Sequence, residues 1–305
     1  MRRTSFVITL LIVIFSTNAW ALQFDMVDFF QVPDARYVSG LSYGDGELYV
    51  LNKNYDNNFE VKVMNPDNHN VNRVLQITSM PSLNSSSQAS GIEYVDGKLV
   101  IGLEWNYYIV DPLDGSLQNS FSLAHNPPAY NENYKKLLSL DSYENNLLAS
   151  MWGFSGIVNN HNVTYLGVMD LNGTLTDSIL LDPDGTEQEL FFAAGMYKDN
   201  YLGVNTNTYE YFLFDYQNNL SLIETGNFNF TFNSRVEGMD TNNEDLYLAT
   251  TQGMVVRLIE GNGNVLPDYP PSSQPNPINP VPEPTALSLL GIGLLGLAFR
   301  RKKTF

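Results

Sequence analysis

The feature that most constrains this chain is a rhythm. Five segments share one layout: SGLSYGDGELYVLN from Ser39, SGIEYVDGKLVIGL from Ser90, LSLDSYENNLLASM from Leu138, AGMYKDNYLGVN from Ala194 and EGMDTNNEDLYLAT from Glu237. Each has a small or apolar start, a polar turn, then an alternating apolar run. The expected turns are Gly44-Asp45-Gly46, Asp96-Gly97, Asn145-Asn146, Asp199-Asn200 and Asn242-Asn243-Glu244. Gly, Asn and Asp tolerate the positive φ that tight hairpins demand. A second turn follows each segment, beginning at Asn65, Asp111, Asp170, Asp215 and Glu260, at intervals of 46, 59, 45 and 45 residues. The longer interval contains an extra loop over Gly153–Asn162. A fixed period of this length marks a repeat architecture.

Two hairpins per unit make four short strands, and no long stretch has apolar residues at helical spacing. The body therefore reads as all-β, a β-propeller of five four-stranded blades. The last unit lacks its fourth strand, and Gln23–Val32 reads as a strand ahead of the first unit, so the N-terminal strand is expected to close the ring by completing the last blade. The body resembles extracellular β-propellers in architecture only, with no WD-type blade signature. A twisted sandwich, a solenoid and a six-bladed ring remain open alternatives at this point.

The ends carry different information. Met1-Arg2-Arg3, an apolar run from Phe6 to Phe15 and Ala19-Trp20-Ala21 have the parts of a secretory signal peptide, with cleavage expected after Ala21. Arg2-Arg3 alone does not complete a twin-arginine pattern, which favours the general secretory route. At the other end, residues 267–284 hold eight prolines in 18 positions, a composition for an extended spacer rather than a ladder or helix. An uncharged apolar run, Thr285–Phe299, follows, and then Arg300, Arg301, Lys302 and Lys303. Fifteen helical residues span roughly 22 Å, a short transmembrane helix, and the basic cluster places its end in the cytoplasm.

Val281-Pro282-Glu283-Pro284, the apolar run and the terminal bases resemble the PEP-CTERM sorting signal. That resemblance implies recognition and cleavage by an exosortase-type protease in a Gram-negative host that makes exopolysaccharide. The expected organisation is a signal peptide at 1–21, a propeller at 22–266, a Pro-rich linker at 267–281 and a sorting tail at 282–305. The expected route is an inner-membrane-anchored precursor, handled by signal peptidase and exosortase, that ends at the cell surface or in the biofilm matrix.

Six of the 16 bases lie in the two terminal signals. Residues 22–284 carry 33 acids against 10 bases, a net of −23. This argues against nucleic acid and anionic lipid as partners, which need a basic footprint. The chain has no cysteine, which removes disulfides and thiol chemistry.

Aligning the residue two positions after each unit's first glycine, or after Ser139 in the third unit, gives a column of Ser42, Glu93, Asp141, Tyr197 and Asp240, expected near the start of the innermost strand. Glu93, Asp141 and Asp240 are candidate ligands for Ca²⁺, which takes six to eight oxygens. They equally suit a metal-assisted hydrolase or lactonase, or polar residues at a wet channel mouth. The loops between second and third strands carry Tyr55, Trp105, Tyr107, Trp152 and Tyr209 beside amides. That composition suits a polysaccharide or another surface protein, or packing between blades. Asp182–Glu187 lacks the full series of a calcium loop and reads as a tight turn. His69, His125 and His161 give no zinc spacing, and no nucleophile elbow, phosphate loop or dinucleotide fingerprint is present. The sequence therefore favours a non-catalytic binding propeller, with the metal-dependent hydrolase as the alternative.

Overall fold

The computed structural model describes residues 22–53, 58–77, 89–103, 106–122, 136–144, 146–154, 162–181, 191–205, 208–232, 234–242 and 244–269. The signal peptide, the apolar tail run, the Asp182–Glu187 turn and His125 and His161 lie outside them. Among the described residues, no helix is long and apolar enough to cross a membrane.

Twenty strands form five four-stranded antiparallel sheets, the blades of a β-propeller. Blade one is β2 (Tyr37–Gly44), β3 (Glu47–Lys53), β4 (Phe59–Met64) and β5 (Val71–Gln76). Blade two is β6 (Ala89–Val95), β7 (Lys98–Leu103), β8 (Asn106–Val110) and β9 (Leu117–Ser122). Blade three is β10 (Lys136–Tyr143), β11 (Asn146–Phe154), β12 (Asn162–Met169) and β13 (Leu175–Leu181). Blade four is β14 (Phe191–Tyr197), β15 (Asn200–Asn205), β16 (Glu210–Asp215) and β17 (Ser221–Asn227). Blade five is β18 (Val236–Thr241), β19 (Leu246–Thr250), β20 (Met254–Glu260) and the N-terminal β1 (Phe24–Gln31).

The ring closes as the sequence indicated. β1 pairs antiparallel with β20 from Phe24 opposite Glu260 to Gln31 opposite Met254. Phe24 is buried and meets Tyr197, Tyr211 and Phe228 at ring separations of 5.5–5.7 Å. The first strand thereby ties the two ends of the propeller and removes an exposed sheet edge.

Each blade hides both of its faces against its neighbours. The apolar side chains accordingly fall into five clusters, one at each seam between adjacent blades. Strands buried on both faces lose their alternation: all six residues of β4 are buried, whereas β9 at the rim is almost wholly exposed. The packed chain continues past β20 to Tyr269, whose hydroxyl donates to Thr231 O at 3.0 Å and whose ring lies 5.3 Å from that of Phe29.

Turn chemistry follows the sequence, with small shifts. Asp45-Gly46 and Asp96-Gly97 hold φ of 51° and 76°, and of 51° and 70°, the paired positive angles of a type I′ hairpin. In blades three and four the strands resume at Asn146 and Asn200. Those turns thus begin at Glu144 and Lys198 (φ 55° each), one residue earlier than the Asn-rich pattern suggested.

All five innermost strands share one irregularity. A register shift falls between Val38 and Gly40, Ala89 and Gly91, Leu137 and Ser139, Phe191 and Ala193, and Val236 and Gly238. A bulge at a fixed height bends and twists each strand where the ring is tightest. Gly91 sits there at φ 159°, and a Cβ on it would lie 2.6 Å from Leu140 N. Backbone meets backbone between blades at that level.

Candidate functional site

Sheet register places one residue of each innermost strand at the same height, opposite Tyr49, Val100, Leu148, Leu202 and Tyr247. Those residues are Ser42, Glu93, Asp141, Gly195 and Asp240. Four of the five are the residues aligned from the sequence. The fifth corrects that alignment: the ring position in blade four belongs to Gly195, not Tyr197. The reference position, glycine in blades one, two and five and Ser139 in blade three, is Ala193 in blade four, so counting from Gly195 overshoots by two residues. Tyr197 stands at the hairpin end opposite Asn200 and fills the seam between blades four and five.

The column also sits at the other end of the strands from the one expected. Glu93, Asp141 and Asp240 lie one or two residues from the last residue of β6, β10 and β18. Because first and second strands are antiparallel, connections from second to third strands begin where the first strand starts. The carboxylates and the loops proposed to hold the aromatic residues therefore occupy opposite ends of the blades.

Glu93, Asp141 and Asp240 converge. One carboxylate oxygen from each lies within 4.8 Å of the others, and all three residues are buried, at 3%, 4% and 6% exposure. Ser42, fully buried, bridges two of them: its Oγ lies 3.1 Å from Glu93 Oε2 and 2.9 Å from Asp240 Oδ2, and accepts the Tyr94 N–H at 2.8 Å. Ser142 Oγ donates to Glu93 Oε1 at 2.5 Å, and the Ser142 N–H donates to Asp141 Oδ1 at 2.6 Å. The Met196 N–H donates to Asp141 Oδ2, and the N–H groups of Tyr43 and Thr241 donate to Asp240. Gly195 makes room for this arrangement, since a Cβ there would sit 2.2 Å from Asp141 Oδ2. Sequence reasoning singled out neither Ser142 nor Gly195. Both follow from the column once the register is known, as its next residue and its missing side chain.

Among the described residues, the hydrogen bonds to the cluster come from amides and hydroxyls, and no Lys, Arg or His side chain donates to it. Burial pushes all three carboxyls above their ordinary range. Glu93 rises well above it, through desolvation and then the charges of Asp240 and Asp141. Asp141 rises well above it through desolvation and Asp240, and Asp240 is raised by desolvation to about 6. The Ser42 geometry agrees. A hydroxyl has one proton, so it can donate to only one of its two carboxyl neighbours. The other contact becomes a hydrogen bond when that carboxyl is protonated, and Glu93 is the group best placed to hold the proton. Chemically, the cluster either stores protons or holds a cation. An all-oxygen donor set with no imidazole or thiolate fits a hard cation.

The proposed aromatic surface is not assembled among the described residues. Tyr55 and Trp105 lie outside them. Trp152 lies on β11 opposite Lys136 and Thr164, its side chain undescribed. Tyr107 is on β8 rather than in a loop, with 0% exposure and its ring 4.9 Å from that of Phe121; it is a core residue and presents nothing to a ligand. Tyr209, at φ 60°, is half-buried beside Phe232 at the seam of blades four and five. His69 is paired with Asp28 at 2.7 Å and stacked on Phe30, tying blade one to the closing strand.

Residues 280–302 match the PEP-CTERM protein-sorting motif. The chain carries an exosortase sorting signal. Its signal implies an exported protein with a membrane-anchored precursor, processed by exosortase, and its body is a propeller. No curated protein matches the sequence. Among solved structures, the Myxococcus xanthus glutaminyl cyclase is similar at a TM-score of 0.57 and 8% identity, over 79% of this chain and 98% of that one. At that identity the likeness is one of fold alone. BamB from Moraxella catarrhalis (TM-score 0.39, 8% identity, 77% of this chain and 99% of that one) and the Neurospora crassa Pan2 WD40 domain (0.38, 14%, 74% and 63%) are more distant.

Proposed function

We propose that this PEP-CTERM chain, once its signal peptide is removed after Ala21, is a non-catalytic binding propeller of the cell surface or extracellular matrix, organised by a Ca²⁺ ion held by Glu93, Asp141 and Asp240. The observation that carries this reading is the convergence of three buried carboxylates within 4.8 Å with no basic side chain among their hydrogen-bond donors in the described residues. Buried like charges each cost several kcal/mol unless neutralised. A divalent ion joining three blades would convert that repulsion into a tie across the ring. Calcium–oxygen distances of about 2.3–2.6 Å allow oxygens up to about 5 Å apart on one ion. With both serine hydroxyls engaged by carboxylates, the remaining ligands would be water.

The competing reading is a metal-dependent hydrolase using the same cluster. The raised carboxyls favour it, because a neutral carboxylic acid can serve as a general acid. Burial weighs against it: with 3–6% exposure, the carboxylates offer little approach to an organic substrate.

Calcium titration of the full chain after EDTA treatment, followed by thermal unfolding, tests the cation. A ligand that binds only the folded form raises Tm, by roughly 2.7 kcal/mol of stability at about 100-fold excess over Kd. No rise in Tm at millimolar Ca²⁺, or a full rise in Asp141→Asn, overturns the metal assignment. Turnover in a hydrolase screen that is lost in Glu93→Gln would instead establish the enzyme.

A further inference from the structure

A cleft away from the axial cluster has the make-up of a small-ligand site. It lies between blades two and three and encloses about 250 Å³. Lys98 stands at the β6–β7 hairpin, Gln118 and Asn119 on the rim strand β9, and Leu171 and Asn172 in the β12–β13 turn; Val95 adds to the apolar part of the wall. None of these residues takes part in the carboxylate cluster.

The donors in this cleft are unevenly used. Lys98 is partly exposed and makes no hydrogen bond or ion pair among the described residues. Two acids beside the cleft are engaged elsewhere: Asp111 accepts from Leu113 N–H and Gln118 Nε2, and Asp170 accepts the N–H groups of Asn172 and Thr174; Asp96, in the same hairpin as Lys98, is exposed and forms no ion pair with it. Asn119 uses its Oδ1 on Ser120 N–H at 2.9 Å, which turns its NH₂ group into the free end. An ammonium without an ion-pair partner and several amide groups in one mainly polar recess suit a rigid polyol with a carboxylate on it.

Size narrows the choice. Drug-sized ligands fill pockets of about 300–1,000 Å³, so this cleft admits one ring. Charge narrows it further. The chain's strong acidity would repel a long run of carboxylates, whereas Lys98 rewards one. We propose that the cleft between blades two and three binds a single uronic acid residue within an otherwise neutral glycan, with Lys98 taking the carboxylate and Gln118, Asn119 and Asn172 the hydroxyls.

The test uses the full chain in detergent with D-glucuronate and D-glucose as probes, by titration calorimetry and ligand-observed NMR. A ligand of about 13 heavy atoms at ordinary efficiency gives a Kd on the order of 1 mM. Glucuronate is expected to bind about tenfold more tightly than glucose, Lys98→Ala to abolish that preference, and Lys98→Arg to retain most of it. Asn119→Ala is expected to weaken both sugars about threefold. Because Lys98 and Asn119 are not core residues, unchanged circular dichroism and Tm are the expected control. EDTA leaves the binding unchanged if the cleft is independent of the axial cluster. Equal affinity for the two sugars, no binding of either at about 10 mM, or full glucuronate preference in Lys98→Ala would each overturn the assignment.

Discussion

Lowering the pH from about 7.5 to about 5 should stabilise the cation-free protein. Asp240 gives the magnitude. Its carboxyl is held at about 6 by burial, against an ordinary 3.8. The folded protein therefore binds this proton more tightly than the unfolded chain does. Stability from this group is complete below about pH 4 and is lost as pH rises through 6, a total of about 3 kcal/mol. Between pH 7.5 and 5 the recovered part is about 1.4 kcal/mol, or roughly 3–6 °C in Tm for a domain of this size. Glu93 and Asp141 shift in the same direction and add to the rise. The opposing groups act in a different window. Asp25, drawn down by the Asn264 amide, Asp114 by Ser116 and Asp170 by the Thr174 amide lose their contribution only below about pH 4. Glu47, where partial burial is outweighed by Arg73 and Asn72, follows them. The assay is differential scanning calorimetry in EDTA across this range, repeated with saturating Ca²⁺ and with Asp240→Asn. With calcium the slope should reverse, because protons then compete with the ion for the same oxygens. Asp240→Asn should remove about 1.4 kcal/mol of the apo rise. A wild-type Tm in EDTA that stays flat or falls between pH 7.5 and 5 would refute the buried like-charge account.

Three substitutions probe the rest of the architecture. Gly195→Ala places a Cβ 2.2 Å from Asp141 Oδ2; the carboxyl must move off the Met196 N–H, costing about 1–3 kcal/mol and at least tenfold in calcium affinity, and unchanged calcium binding would show that Asp141 is not a ligand. Phe24→Ala empties the aromatic seam that holds the closing strand and should cost on the order of 3–5 kcal/mol, with faster proteolysis near the N-terminus; a loss under about 1 kcal/mol would mean that β1 is not what closes the ring. Tyr107→Ala should destabilise by a similar amount, because it empties the seam between blades two and three, and a variant of normal Tm would contradict its placement in the core.

The strand count, the hairpin positions and the N-terminal closure were legible because each rests on short-range chemistry. Asp-Gly and Asn-rich turns require particular φ values wherever they stand, and two turn series with one period leave few architectures. The central column was legible in four blades of five, and blade four shows why it failed there. Within a strand, one face is separated from the other by a single residue, and the same face recurs every second residue. The alignment was anchored on glycine, but in blade four the anchoring position is Ala193, so Gly195 was read as the anchor when it is the column itself. No local pattern reveals that. It appears only when β14 is paired with β15 and Asp141 is found in the space that a side chain at residue 195 would fill.

Aromatic residues resisted the sequence for a different reason. In a sheet with one wet face, an aromatic outside the alternation is a fair candidate for a binding surface. Propeller blades bury both faces of their inner strands, so alternation vanishes and Tyr107 in β8 looks like a loop residue beside Glu104, Trp105 and Asn106. Acids behave in the opposite way: a buried carboxylate is expensive wherever it occurs, so three at one height in a repeat must be met by protons or by a cation. That asymmetry explains why the polar column converges on folding while Tyr107 becomes part of the core. It also directs the search for ligands in a chain of this kind. At the axis, the informative residues are polar ones whose burial needs compensation. At the seams they are cations such as Lys98, which the fold leaves without an ion-pair partner among the described residues.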